Sequence, residues 1–193
     1  MAEVLAADSL AVAAVRPAAA PPVDGSAWMN TGRLLRHLFA TRWSTRWRFP
    51  PATLAAIENA IREAEAQHGG EIRFAIETAL DLPELWHSLA PRPRALQVFG
   101  QLGVWDTAQN NGVLIYVLLA DRVVEIVADR GIATFAQQSE WDAICREIEG
   151  QFRAGRFMEG SVAAVQSVGR LLARHFPAQH RGEDELPNQP VLL

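Results

Sequence analysis

Two apolar stretches lie side by side in residues 110–129. Residues 112–120 form an unbroken run of nine apolar residues, which Asp121 and Arg122 interrupt. Residues 123–128 form a second run, rich in β-branched side chains, in which only Glu125 is polar. Two such runs joined by two residues predict a β-hairpin that is covered on both faces. A buried helix is the alternative for the first run, but its short length and its Val, Ile and Tyr content favour a strand.

The segments around this hairpin show helical spacing or strict alternation. Residues 71–78 alternate between apolar and polar side chains, which predicts a further strand. Apolar residues recur at helical spacing in residues 54–64, 95–102, 137–152 and 162–176. Because a helix separates the first two strands, we expect them to be parallel, whereas the hairpin strands are antiparallel. The pattern predicts an α/β fold in which a mixed β-sheet is sandwiched between helices.

The composition changes along the chain and suggests four parts. Residues 1–27 are rich in Ala and Pro and are interpreted as a flexible leader. Residues 28–50 are rich in Arg and Trp, residues 51–177 contain the predicted elements, and residues 178–193 are interpreted as an acidic C-terminal tail.

Overall charge and cysteine content exclude several classes of protein. The net charge of −4 gives no reason to expect binding to nucleic acid. The single cysteine, Cys145, lies on the apolar face of a predicted helix, so a buried thiol is favoured over a nucleophile.

The acidic residues Glu3 and Asp8 interrupt any signal peptide, and no apolar stretch reaches membrane-spanning length. We therefore expect a cytoplasmic protein.

The Arg/Trp-rich segment, residues 28–50, contains no acidic residue. Three interpretations stay open: its apolar face packs on the protein's own domain, it lies on an anionic membrane surface, or it contacts nucleic acid. The first is favoured and the last is the weakest. The residues that would contact a membrane or a protein partner are Arg33, Arg36, Arg42, Trp43, Arg46 and Trp47.

Polar residues gather where the predicted strands share one end. The strand order brings the start of the first strand, the start of the second and the end of the third to one edge of the sheet. The residues at this edge are Glu71, Asp106, Asn110, Asn111 and Asp129. Carboxylate and amide oxygens are ligands for Ca²⁺ or Mg²⁺, so the edge is a candidate metal site. Turn formation is the alternative, because Asn and Asp are common turn residues.

Short motifs in the chain resemble, in order and spacing, those of the TPM domain family. They include Gly70-Glu71-Ile72-Arg73, Asn111-Gly112-Val113-Leu114-Ile115, Asp129-Arg130-Gly131-Ile132, and Phe152 to Phe157 with Gly160. The resemblance covers roughly residues 54–177. The chain is most similar to short bacterial TPM proteins that carry neither a signal peptide nor a membrane anchor.

The resemblance implies a mixed sheet between helices, similar to a Rossmann layer. Some members of the family are acid phosphatases, some bind calcium at acidic residues, and some act on membrane complexes. Of the residues at the predicted edge, only Glu71, Asn111 and Asp129 lie in motifs that match the family. The resemblance implies that these three belong to the family's acidic site. Residues 28–50 lie outside the shared domain.

Three functions are consistent with these observations. The leading hypothesis is a TPM-domain protein that binds a divalent ion and acts through a protein partner or a membrane partner. The alternatives are a weak acid phosphatase with a metal site and a purely structural interaction module. No cationic phosphate clamp is evident, unless Arg73 and Arg130 turn toward the acidic edge.

Overall fold

A computed structural model describes residues 31–40, 42–86, 89–133, 135–178 and 184–193 of the chain. The helices in these ranges are α1 (Thr31–Phe39), α2 (Arg42–Arg48), α3 (Pro51–Glu65), α4 (Leu82–Trp86), α5 (Pro91–Gln101), α6 (Arg130–Ala133), α7 (Gln138–Arg153) and α8 (Phe157–His175). The strands are β1 (Glu71–Glu77), β2 (Gly112–Leu118), β3 (Val123–Ala128) and β4 (Val191–Leu192).

The four strands form one mixed sheet in the order β3-β2-β1-β4. β1 and β2 are parallel, with Glu71 opposite Gly112, and β2 and β3 are antiparallel, with Val113 opposite Ala128. The α/β fold and the pairing of the three predicted strands are therefore confirmed. β1 and β2 begin at the end of the sheet where β3 stops, which we call the amino end. The opposite end, at the β2–β3 loop, is the carboxyl end.

Helices cover both faces of the sheet. Side chains of one parity, such as Phe74, Ile115 and Ile126, pack with α3, α7 and α8 in the larger core. Side chains of the other parity, such as Leu114 and Val127, pack with α5 in a smaller core. This alternation explains why β1 and β2 are buried along their whole length. Cys145 lies in the larger core, where burial raises the pKa of its thiol, so the prediction of a buried thiol is confirmed.

The hairpin ends earlier than the sequence predicted. β2 stops at Leu118, and residues 119–122 form a four-residue connection instead of a two-residue turn. The backbone N–H groups of Leu119 and Ala120 still donate hydrogen bonds, to the carbonyl oxygens of Glu77 and Thr78. The extra apolar residues therefore continue the contact with β1 but do not extend the hairpin.

The predicted acidic tail is wrong for residues 184–193. Val191 and Leu192 form β4 beside β1, and Leu186 and Leu193 pack into the smaller core. Five charged or polar residues precede this short apolar ending, so hydropathy alone did not indicate a strand. The predicted leader, residues 1–27, lies outside the described ranges.

Candidate functional site

The amino end of the sheet brings three predicted site residues next to one another in the backbone. Glu71 donates its N–H to the carbonyl oxygen of Asn111 at 3.1 Å. Asp129 donates its N–H to the carbonyl oxygen of Gly112 at 2.9 Å. Residues Glu71, Asn111 and Asp129 therefore flank three neighbouring strand ends, as the predicted pairing required.

Two of these residues have buried oxygens without a hydrogen-bond partner. Asn111 donates from Nδ2 to the carbonyl oxygen of Gly69, but its Oδ1 has no partner among the described residues. Asp129 accepts the N–H of Arg130 at Oδ1 (2.6 Å), but its Oδ2 has none there either. The two side chains belong to residues that are 2% and 3% exposed. We call Asn111 and Asp129 the amide–carboxylate pair.

Burial changes the acidity of Asp129. Removal from solvent raises the pKa of its carboxyl group, although the N–H and the charge of Arg130 partly oppose the rise. An unpaired buried carboxylate is unfavourable because the protein supplies less stabilisation than water. A cation or a proton at Oδ2 would remove this penalty.

The side chain of Glu71 belongs to a different group of acids. Its carboxylate lies with those of Glu65 and Asp184, with one oxygen from each within 4.8 Å of the others. Glu65 accepts the N–H of Ile72 at 2.8 Å, and Glu71 accepts the N–H of Leu186 at 3.4 Å. Burial and the charge of Asp184 raise the pKa of Glu71 to about 7. We call Glu65, Glu71 and Asp184 the carboxylate cluster.

The sequence analysis missed two members of this cluster. Glu65 follows the inward-facing residues Ile57 and Ile61 of α3, so an acid at a core position was an available signal. Asp184 had no such signal, because its place depends on how the C-terminal segment packs against β1. In the same packing, Arg73 donates a hydrogen bond from Nη1 to the carbonyl oxygen of Gln189.

Asp106 and Asn110, also predicted as ligands, have local roles in the loop before β2. Asp106 is exposed and donates its N–H to the carbonyl oxygen of Gly103 in a turn. Asn110 has a positive φ of 53° and accepts a hydrogen bond at Oδ1 from Nε of Arg130 at 3.0 Å. These contacts match the turn interpretation for Asp106 and Asn110. They also place the Arg130 side chain against Asn110.

The carboxyl end of the sheet carries buried arginine and histidine side chains. Arg33 and His37 of α1 are buried and face the β2–β3 loop. Arg33 binds Asp121 through Nε (3.0 Å) and Nη2 (2.8 Å) and also donates to the carbonyl oxygen of Leu89. His37 accepts the N–H of Leu80 at Nδ1, so its Nε2 carries the proton and donates to Asp121 at 3.0 Å. Polar side chains therefore hold α1 on the domain.

Asp121 is the centre of this contact. Burial by itself would raise the pKa of its carboxyl group, but hydrogen bonds from His37 and Arg33 and the charge of Arg33 outweigh burial and lower it. The side chains of Arg33 and Asp121 are only 4% and 3% exposed. Arg36 lies 3.8 Å from the same carboxylate and keeps half of its side chain in solvent.

A cavity of about 250 Å³ opens beside this contact. Arg48, Arg122 and Arg153 line it together with apolar residues and one acid, Glu149. Glu149 binds Arg153 at 3.1 Å. A second depression shares Arg48 and Arg122 and adds Arg36 and Phe39. We call this region the arginine-lined groove.

The other residues of the predicted partner-binding set lie in α2. Arg46 and Trp47 are exposed, Trp47 with 77% of its surface. The backbone of Arg42 and Trp43 is helical, but their side chains lie outside the described part of the structure. Among the four predicted residues whose side chains the structure describes, Arg33 is buried against the domain, and Arg36, Arg46 and Trp47 are exposed.

Comparison with known proteins decides the family. The model of the TPM domain matches residues 48–171, which is well over half of the chain. The chain belongs to the TPM domain family. The matched region contains Glu65, Glu71, Asn111 and Asp129 of the TPM domain, whereas α1 and Asp184 lie outside it.

A solved structure supports the same fold for this TPM domain. The NMR structure of the BA42 protein from the psychrophilic bacterium Bizionia argentinensis is 35% identical in sequence, with a TM-score of 0.62. The similarity covers 74% of this chain and 93% of BA42. No curated protein matches the chain significantly. Among the described residues, no helix is long and apolar enough to cross a membrane.

Proposed function

We propose that this TPM domain binds a divalent cation, Ca²⁺ or Mg²⁺, at the amino end of its sheet through the amide–carboxylate pair. The observation that carries this proposal is the pair of buried oxygens, Asn111 Oδ1 and Asp129 Oδ2, that have no partner among the described residues. A buried acceptor without a partner costs about 1–3 kcal/mol, and more when it is charged. A bound cation turns that cost into a favourable interaction.

The chemistry of the two groups suits a hard cation. Ca²⁺ takes 6–8 oxygen ligands at about 2.3–2.6 Å, and Mg²⁺ takes six at about 2.0–2.1 Å. Asn111 and Asp129 would supply an amide oxygen and a carboxylate oxygen, while loop carbonyls and waters complete the shell. Residues 106–129, which contain both ligands of the pair, include no Cys, Met or His, so a softer metal is not favoured.

The carboxylate cluster lies at the same end and is a competing position for the ion. Glu71 is half-protonated near pH 7, because the pKa of its carboxyl group is raised to about 7. A cation at the cluster would displace that proton, and a cation at Asp129 would leave it in place. Substitutions at Glu71 and at Asp129 can therefore show which of the two groups binds the ion.

A calcium titration followed by melting temperature and amide NMR tests the proposal. Saturating Ca²⁺ at 100 times its dissociation constant stabilises the fold by about 2.7 kcal/mol. We expect this gain in the native chain and in Asp106→Asn, and its loss in Asp129→Asn. The gain is larger at neutral than at acid pH, because protons compete for Asp129.

The outcomes separate the two positions. If Glu71→Gln keeps the calcium response while Asp129→Asn loses it, the amide–carboxylate pair is the site. If Glu71→Gln loses the response and Asp129→Asn keeps it, the cation binds at the carboxylate cluster and the proposal is wrong. An unchanged melting curve with unchanged amide signals near Asn111 and Asp129 at millimolar calcium would also refute it.

The weak acid phosphatase alternative has less support from the site. Arg73 donates to Gln189, and Arg130, which follows Asp129, donates to Asn110, so both predicted clamp residues already have hydrogen-bond partners. Phosphoryl transfer needs cationic groups on the transferred oxygens. Hydrolysis of an aryl phosphate that Asp129→Asn abolishes would revive this alternative, and hydrolysis that survives the substitution would not.

A further inference from the structure

Helix α1 is amphipathic, but with the reverse of the usual orientation. Its polar residues Arg33 and His37 face the domain, where they bind Asp121. With 3.6 residues per turn, the face opposite these two residues is apolar. It consists of Leu35 (51% exposed), Leu38 (53%) and Phe39 (77%), and Leu34 (38%) lies at its edge. The docking of α1 therefore presents an apolar surface to the solvent.

A helix that packed on its own domain for hydrophobic stabilisation would bury this face. The ion pair with Asp121 prevents that arrangement, because turning the helix over would leave a buried carboxylate without its partners. Trp47 of α2, the next helix along the chain, is also exposed, with 77% of its surface. A clustered apolar surface of this kind marks an interaction site.

The surroundings of this surface are cationic. Phe39 lines the arginine-lined groove together with Arg36, Arg48 and Arg122. Residues 28–50 contain five arginines and no acid. Asp121, the acid that α1 binds in the described part of the chain, is held by Arg33 and His37, and Glu149 of the groove is held by Arg153. The surface thus combines apolar side chains with a rim of positive charge.

We propose that the outer face of α1, with Trp47 and the arginine-lined groove, is a docking surface for an anionic lipid membrane. Leu35, Leu38 and Phe39 enter the interface between headgroups and acyl chains, and the arginines bind lipid phosphates. The contact with Asp121 is kept, because it is what turns the apolar face outward. Docking on the domain and binding to lipid then occur together.

Charge complementarity selects lipid over other occupants. A second copy of the chain carries the same positive rim and would repel it. A phosphate-bearing membrane surface attracts each exposed arginine, with roughly a fivefold gain in partitioning for each charge. A nine-residue helix contributes limited apolar area, so we expect reversible and salt-sensitive binding.

Co-sedimentation of the full chain with vesicles tests this surface. We compare vesicles of phosphatidylcholine alone with vesicles that also contain phosphatidylglycerol. The chain is expected to sediment with the anionic vesicles at about 0.1 M salt, where the Debye length is about 10 Å, and to be released at about 1 M salt. Sedimentation with neutral vesicles to the same extent would overturn the proposal.

Matched variants assign the binding to particular residues. Phe39→Glu and Leu38→Glu should each weaken binding at least tenfold, whereas Leu82→Glu, at an apolar residue of α4 that is 60% exposed, should not. Arg122→Glu should weaken it at least fivefold, whereas Arg170→Glu on the exposed side of α8 should leave it unchanged. All the changed residues are at the surface, and circular dichroism checks that the variants fold.

Three further results would overturn the proposal. The first is an absence of binding to both kinds of vesicle. The second is binding that the α1 variants do not change. The third is dimerisation without lipid, seen by analytical ultracentrifugation and abolished by Phe39→Glu, because it assigns the surface to a second copy.

Discussion

The two ends of the same sheet have opposite chemistry. The amino end gathers oxygens: the amide–carboxylate pair and the carboxylate cluster. The carboxyl end gathers nitrogens, in the α1 contact and the arginine-lined groove. Three strands of at most seven residues, or roughly 20–25 Å, separate them. The difference teaches that one sheet can keep clustered carboxylates and clustered guanidinium groups apart at its two ends, so that they do not neutralise one another.

The ends also differ in what holds them together. The amino end is held by close backbone packing, because a Cβ atom at Gly112 would lie 2.0 Å from the carbonyl oxygen of Val104. The carboxyl end is held by side-chain contacts that centre on Asp121, an ion pair with Arg33 and a hydrogen bond from His37. The free energy of unfolding should therefore fall when a side chain is enlarged at the amino end and when a charge is removed at the carboxyl end.

The largest expected effect is at Asp121. Asp121→Ala leaves the buried guanidinium of Arg33 without its partner, and breaking such a pair costs about 3–5 kcal/mol. Urea denaturation should show this loss, and hydrogen exchange should show that α1 opens first. Asp106→Ala, an exposed acid at the other end, should change the free energy of unfolding by less than about 0.5 kcal/mol. Equal effects for the two variants would mean that the carboxyl end does not depend on this charge.

The second effect tests packing at the amino end. Gly112→Ala forces a methyl group against the backbone of Val104 and should cost about 3 kcal/mol, the upper part of the range for overpacking. Gly150→Ala is the control, because the space around Gly150 in α7 is open. It should stabilise the helix by up to about 1 kcal/mol. Thermal denaturation measures both, and a tolerated Gly112→Ala would show that the loop before β2 can move.

The third effect is the pH dependence that Glu71 introduces. The pKa of its carboxyl group is raised to about 7 in the folded state, so between about pH 4.5 and pH 7 the folded chain binds more protons than the unfolded chain. Its contribution to stability therefore falls as the pH rises through this range. Glu71→Gln should gain roughly 2 kcal/mol at pH 8 and less than about 1 kcal/mol at pH 5.

The difference between the native chain and this variant isolates Glu71. Burial also raises the pKa of Glu125, to about 7, and that of Asp129, so the native profile contains their contributions as well. Glu63→Gln, at an exposed position of α3, should leave the profile unchanged. Melting temperatures in chelated buffer at both pH values provide the measurement. A gain of the same size at pH 5 would show that the effect is not a titration of Glu71.

Sequence patterns predicted the centre of the fold better than its margins. The hairpin and β1 were visible because their burial on both faces gives continuous or alternating apolar runs. β4 was not, because its two residues join the sheet through a long-range pairing that no local pattern records. The order of the three predicted strands was enough to make Glu71, Asn111 and Asp129 backbone neighbours. The side-chain cluster with Asp184 was not predicted, because it depends on the long-range packing of the C-terminal segment.

Helix α1, in the Arg/Trp-rich segment, shows a second limit of sequence patterns. The segment was expected to have an apolar face, but the presence of such a face does not tell which side of the helix faces the domain. Asp121, 88 residues away from Arg33 in sequence, decides that orientation. A hydrophobic-face argument alone places the apolar side inward, which is the reverse of the observed arrangement.

The smallest expected effect compares one residue at each end. Asn110 and Arg122 both have left-handed backbones, with φ values of 53° and 58°. Asn adopts this conformation at little cost, whereas other side chains pay about 1–2 kcal/mol. Arg122→Gly should therefore stabilise the chain by about 1 kcal/mol after the entropy of Gly in the unfolded state is included, and Asn110→Gly should gain only a few tenths. Urea denaturation of the two variants measures the difference.

A larger gain at Asn110 would show that its contact with Arg130 adds strain to the amino end. A gain at Arg122 alone, together with weaker sedimentation with anionic vesicles, would mean that the carboxyl end keeps a strained arginine at the expense of stability because its charge is used in binding.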